Sequence, residues 1–92
     1  MIHFIVHAPQ DSVGVLVKDA TKNQKLTGWN METDATVEIV TKEDIPLGHK
    51  VALKSVKAGE KVIKYNVPIG KASQDITPGE RVHTHNLKTA RW

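Results

Sequence analysis

The chain has 92 residues, no cysteine, two tryptophans, one tyrosine and one phenylalanine, with 39% apolar residues and a formal charge of +3. That length holds one domain, and the lack of cysteine excludes disulfide staples, thiolate metal sites and thiol nucleophiles together. The composition is globular, no apolar run approaches the ~18 residues of a membrane span, and lysines scattered among acids form no nucleic-acid stripe, which leaves small anions as the favoured ligands.

Taken in chain order, the predicted elements are short strands. Ile2–His7 alternates weakly; it is too short for the apolar part of a secretory leader and has no basic flank, so a cytoplasmic chain is expected. His3 and His7 alternate there with Ile2, Phe4 and Val6, where a wet outer face accounts for them without function. Val13–Lys18, Ala35–Val40, Lys50–Lys54, Lys61–Tyr65 and Arg81–Leu87 are β-branched runs bounded by Gly, Pro, Asn or Asp. Thr41-Lys42-Glu43-Asp44 opens like a helix, but Pro46 limits it to a single turn. Trp29 is expected to plug the core. Trp92 stands with Arg91 at a chain end that packing rarely holds, and the pair is expected to dock a partner. The whole reads as one all-β domain over residues 1–92.

A repeat appears when the glycines are aligned. Asp44-Ile-Pro-Leu-Gly48-His-Lys-Val51 matches Ser55-Val-Lys-Ala-Gly59-Glu-Lys-Val62 and Asp75-Ile-Thr-Pro-Gly79-Glu-Arg-Val82, and Asp19-Ala-Thr-Lys-Asn23-Gln-Lys-Leu26 is a degenerate copy. The pattern predicts a turn that delivers the chain into a strand. Gly supplies a left-handed backbone, and Asn23 is the residue best able to replace it. The leading Asp or Ser is expected to bond nearby backbone N–H groups, the Lys or Arg to face solvent, and the aliphatic residue to enter the core.

Positions that break the repeat are the better functional candidates. The residue after the turn glycine is Gln24, Glu60 or Glu80 in three copies but His49 in the other. The last copy runs on into Arg81-Val-His83-Thr-His85-Asn86-Leu87. On a strand His83 and His85 share one face about 7 Å apart, a spacing that suits two imidazoles on one metal or one anionic substrate, with Asn86 on the other side. Two histidines on a solvated edge are the alternative, as is an exposed turn for His49. A metal would need further ligands from elsewhere in the fold or from another chain.

These residues together carry a resemblance. Asp11-Ser-Val-Gly-Val15, Asp44-Ile-Pro-Leu-Gly-His-Lys-Val-Ala-Leu53, Ala58-Gly-Glu60, Val62-Ile-Lys-Tyr65, Pro68-Ile-Gly-Lys-Ala72, Asp75-Ile76, Gly79-Glu80 and Val82-His-Thr-His-Asn-Leu87 resemble the SAF-type N-terminal domain of altronate and galactarate dehydratases. The resemblance covers nearly the whole chain and implies the β-clip fold. In the fused dehydratases the module is joined to a much larger catalytic domain. The ending Lys88-Thr-Ala-Arg-Trp92 and the opening His3-Phe-Ile-Val-His7 resemble instead the separately encoded small subunits of the family.

The resemblance implies a lyase, inactive as a lone chain. A proton leaves next to a carboxylate and a β-substituent departs, sulfite from sulfolactate or water from a sugar acid. It implies a divalent cation in the complete complex, Fe2+ or alternatively Mn2+ or Mg2+. His83 and His85 would be catalytic groups or metal ligands, with His49 as a further catalytic residue. Lys50 and Asn86 would orient substrate, and Lys71 and Lys88 would be weaker anion contacts. The implied partners are a large dehydratase-like subunit and a small anionic hydroxy acid, with no nucleic acid or membrane, and in isolation further copies of the chain. Three alternatives stay open: a small subunit or N-terminal domain of a sugar-acid dehydratase, a non-catalytic carbohydrate-binding SAF module, and a structural or oligomerisation domain.

Overall fold

A computed structural model describes residues 1–89. Among them no helix forms, and the strands are β1 (Phe4–Val6), β2 (Val13–Leu16), β3 (Lys25–Asn30), β4 (Thr36–Val40), β5 (Lys50–Ala52), β6 (Lys61–Lys64), β7 (Val67–Ala72), β8 (Arg81–Val82) and β9 (Leu87–Thr89). The all-β expectation is met. Six strands form one sheet in the order β4-β3-β1-β2-β5-β8, and three form a second in the order β6-β7-β9. All neighbours are antiparallel except β1 and β3, which run parallel.

Two strands lie outside the expected set, and one expected strand is broken. β3 carries Gly28, and β7 carries Pro68 and Gly70, residues that weaken a strand signal. Pro68 is tolerated because it falls beside a bulge in β6, at a point where β9 does not flank β7. Gly28 lies opposite Phe4, and a Cβ there would run into the Phe4 ring; Gly14, on the other flank, would bring a Cβ within 2.5 Å of the same ring. Two glycines thus make room for the chain's one phenylalanine. Arg81–Leu87 is not a continuous strand: β8 ends at Val82, and the chain turns before β9.

The repeat is the unit of construction. Asn23, Gly48, Gly59 and Gly79 all take the left-handed backbone, with φ of 64°, 86°, 88° and 93°. The leading residues do not act locally as expected; they bond across to a partner repeat. The N–H of Leu47 donates to Asp19 Oδ1 at 2.7 Å, and the N–H of Lys22 donates to Asp44 Oδ1 at 2.8 Å. In the second pair, Ala58 N–H donates to Asp75 Oδ1 at 2.9 Å. The reciprocal donor would come from position 78, but Pro78 has no N–H. That is why Ser55 can stand where the other copies have Asp.

Backbone bridges between Ala20 and Ile45, and between Val56 and Ile76, join the same pairs. Each pair builds its own core. Ala20, Leu26, Ile45 and Val51 pack with Phe4, Val6 and Leu16 in one, and Val56, Val62, Ile76 and Val82 with Val13, Ala52 and Ala72 in the other. Leu26, Val51, Val62 and Val82, the aliphatic ends of the four repeats, are at most 1% exposed. Their burial is the main stabilising term, on the order of 1.5–3 kcal/mol for each such side chain. Trp29 is no part of either core. It is half-buried on β3, where its indole N–H needs a partner and donates to Asp34 Oδ1 at 2.8 Å.

Candidate functional site

The residue after each turn glycine has a structural duty in three copies. Gln24 Oε1 accepts from the N–H of Thr21 at 2.9 Å, Glu60 Oε1 from that of Lys57 at 2.7 Å, and Glu80 Oε2 from that of Thr77. In the remaining copy the corresponding position is Pro46, which has no N–H to offer. Position 49 is therefore released from closing its turn. His49 occupies it, half-buried, with an Nδ1 that is buried and makes no hydrogen bond among the described residues. Buried polar atoms are ordinarily paired, so an orphan among them calls for a partner from outside the chain or for an explanation in the local packing.

The His49 ring lies against the His83 ring, with centroids 4.8 Å apart and planes tilted by 37°. His83 begins the turn that interrupts the expected strand. Asn86, 1% exposed, closes that turn: its Oδ1 accepts from the His83 N–H at 2.9 Å, and its Nδ2 donates to the Arg81 carbonyl at 2.8 Å. The His83 carbonyl accepts from Asn86 and Leu87 as well. His83 and His85 are thus exposed turn residues, not neighbours on one strand face, because the Asn86 side chain offers the backbone a local alternative to the ladder. The amide of Asn86 bonds backbone rather than projecting from a strand, and it positions the two histidines.

The charge around these rings is one-sided. Lys50 and Arg81 sit on adjacent strands, both half-buried. Glu43 accepts the Arg81 N–H at 3.1 Å and lies 4.0 Å from its Nε, which forms no hydrogen bond among the described residues. Lys50 has no such carboxylate among the described residues. Burial, and next the charge of Lys64, hold the Lys50 ammonium below its ordinary pKa. His83 is likewise held below the usual histidine value, by desolvation first and then by His49, Arg81, Lys50 and His85. At neutral pH this favours the uncharged imidazole, the form that accepts a proton.

The sign of that shift is testable. Lys50→Gln removes a positive neighbour, makes protonation easier, and moves the His83 titration midpoint upward toward the ordinary value. Imidazole proton shifts followed against pH report it, and a midpoint that stays put or falls contradicts the cluster.

The other sequence-predicted residues lie elsewhere. Lys71 and Lys88 are exposed on the three-stranded sheet, in register with each other and with Lys61, a row that escaped the sequence analysis. Arg91 and Trp92 lie outside the described residues. His3 has a structural partner, since its Nδ1 accepts from the Thr27 N–H at 3.0 Å. Among the described residues no three His, Asp or Glu side chains come together to hold a metal ion. An open groove of about 510 Å³, lined in part by Gln10, Ser12, Lys54, Glu60 and Ile63, includes none of the candidate residues. Among the described residues no helix is long and apolar enough to cross a membrane.

The fold defines a class: a small all-β module whose repeat turns are structural and whose departures from the repeat bring His49 and His83 together near Lys50 and Arg81. The chain belongs to the SAF domain family of altronate and galactarate dehydratases, whose model matches residues 2–90. It is 48% identical over 92 residues, 99% of its length and 98% of the relative's, to (2R)-sulfolactate sulfo-lyase subunit alpha of Chromohalobacter salexigens. A like-named subunit alpha of Paracoccus pantotrophus is 59% identical over 54 residues, 59% of this chain and 81% of the relative. Altronate dehydratase of Bacillus subtilis is 43% identical over 89 residues, 97% of this chain but 17% of the enzyme.

Proposed function

We propose that this chain is the small subunit of a two-component lyase that eliminates sulfite from (2R)-sulfolactate, and that it is inactive without its large, dehydratase-like partner. The observation that carries the reading is the end-to-end match to a subunit alpha of that name. The chemistry suits the rim. A base removes the proton from the carbon next to the carboxylate, the electron pair of the C–S bond leaves with sulfite, and the resulting enol ketonises to pyruvate.

His83, whose pKa is lowered by desolvation and then by its positive neighbours, takes the proton. His49 backs its ring, and His85 stands exposed two residues along the same turn. Lys50 and Arg81 offset the growing charge on the carboxylate, and electrostatic stabilisation of this kind is usually the largest catalytic contribution. Asn86 holds the turn that presents both histidines. In this reading the divalent cation, Fe2+ or its Mn2+ or Mg2+ alternatives, belongs to the complete cytoplasmic complex and draws its ligands chiefly from the large subunit.

The test is reconstitution. The chain alone releases no sulfite from sulfolactate, and mixing with the large subunit and ferrous iron restores release. Sulfite from the lone chain, or none from the mixture, would overturn the reading. The 43% identity to altronate dehydratase supports a second one, in which the complex dehydrates a sugar acid. Loss of water from altronate, with no sulfite from sulfolactate, would select it.

A further inference from the structure

The outer face of the three-stranded sheet carries a row of charge that the proposed reaction does not use. Lys61 on β6 stands opposite Lys71 on β7, and Lys71 stands opposite Lys88 on β9. Residues paired in this way point to the same side of a sheet, with Cβ atoms about 4.5–5.5 Å apart. All three lysines are exposed, whereas the residues beside them in the chain, Val62 and Ala72, are buried in the core. Three ammonium groups thus share one face across two strand spacings, roughly 10 Å.

No carboxylate offsets them among the described residues, where the ion pairs are Lys25–Glu38 and Arg81–Glu43. Glu60, beside Lys61 in the chain, accepts the Lys57 N–H at 2.7 Å, and Asp75, the next acid after Lys71, accepts that of Ala58 at 2.9 Å. Like charges directly opposite one another destabilise a sheet. Lysine is common on edge strands, where it blocks pairing with other chains, and this accounts for Lys61 and Lys88 on β6 and β9. It does not account for Lys71. β7 is the central strand, where a carboxylate at position 71 would pair with both neighbours, yet the chain places a third cation there.

Charge and surroundings say what covers this face. A row of ammoniums without counter-charge is complementary to carboxylates. The hairpin turn of the same sheet adds apolar surface, with Tyr65 47% and Val67 55% exposed. Protein interfaces combine apolar contact with a polar rim, whereas contacts to a nucleic-acid backbone go to phosphate and sugar. The occupant that fits is therefore an acidic protein surface, and the two-subunit reading supplies the protein.

We propose that the face bearing Lys61, Lys71 and Lys88 is where the large subunit docks, through a complementary acidic surface. The inference rests on the two-subunit reading and adds to it the surface of contact. The lysines act before contact is complete, steering the partner into register and raising the rate of productive encounter. Docking also relieves the repulsion that the three charges exert on one another in the free chain.

The experiment uses Lys71→Glu, which sets a carboxylate between two ammoniums and so separates docking from stability. In the lone chain it raises the Tm by roughly 2–8 °C, because two repulsive cross-strand pairs become attractive. Toward the immobilised large subunit at low ionic strength it lowers the association rate constant about tenfold, and the loss fades as salt is added. Lys18→Glu, the same charge change at an exposed position beyond β2, leaves that rate within about twofold. A Lys71→Glu variant slowed no more than Lys18→Glu overturns the docking face, and a Tm that does not rise overturns the repulsive row on which it stands. Wild-type binding to phosphatidylserine vesicles or a DNA duplex that Lys71→Glu abolishes, with association to the large subunit unchanged, gives the row to a membrane or nucleic acid and also overturns it. If the wild-type chain and the large subunit do not associate at all, the two-subunit reading has failed and the docking face falls with it; association that ignores Lys71 sinks the face and leaves that reading standing.

Discussion

Replacing His83 and His85 together by Ala lowers sulfite release by the assembled complex at least 100-fold and leaves the domain folded. The size follows from what is removed. A positioned base contributes about 10²–10⁴-fold, and the second imidazole of the same turn goes with it. The fold survives because both side chains are exposed, and because the turn is closed by the backbone of residue 83 and the side chain of Asn86. Assays of sulfite release at saturating large subunit, beside thermal unfolding of the lone chain, check both halves. Activity that persists in the double variant refutes the site while sparing the subunit assignment. Single variants divide the work, since His83→Ala should cost more than His85→Ala if the ring packed on His49 takes the proton.

Gly79→Ala is expected to be the most destabilising of the turn substitutions, costing more than about 3 kcal/mol, whereas Gly48→Ala costs about 1–2 kcal/mol. Both glycines have positive φ, so both replacements strain the backbone. Only at Gly79 does the added carbon meet an obstacle, the Val40 carbonyl oxygen; at Gly48 nothing lies within 4 Å. Nor can the loop move aside. The Gly79 N–H donates to Ala52 O at 2.9 Å, and its carbonyl accepts from the Lys42 N–H at 2.9 Å. Urea denaturation of the two variants measures the difference, and equal losses would mean that the Gly79 turn gives way more easily than these bonds imply.

Much of the architecture was legible because a turn is a local object. Gly48, Gly59, Gly79 and Asn23 announce left-handed positions through residue type alone, and the aliphatic residue three places on marks the strand that enters the core. What failed was equally local in origin. Gly28 and the Pro68–Gly70 stretch hide strands that exist because Phe4 needs room and because β7 has neighbours. Arg81–Leu87 reads as one strand by its residues, and Asn86 turns it by bonding the backbone three residues behind. Trp29 looked like a core residue because of its size, but its indole N–H draws it to Asp34 at the surface.

The candidate site shows the same division. His49 and His83 stood out as departures from the repeat, but residue spacing gave no sign that their rings meet. The row of Lys61, Lys71 and Lys88 depends on register across three strands, which no single stretch of chain encodes.

By itself the sequence determined a chain of 92 residues without thiol chemistry, built on four copies of a turn that feeds aliphatic strands, with its exceptional residues at positions 49, 83 and 85. Those are properties of short segments, where residue type and spacing are enough. Only the tertiary structure decided that the repeats work in pairs, because the Asp of one copy completes the turn of another. The pairing explains Ser55, whose partner Pro78 has no N–H to bond. It also shows how Pro46, by removing one backbone donor, leaves position 49 free to carry a histidine whose Nδ1 is unpaired among the described residues.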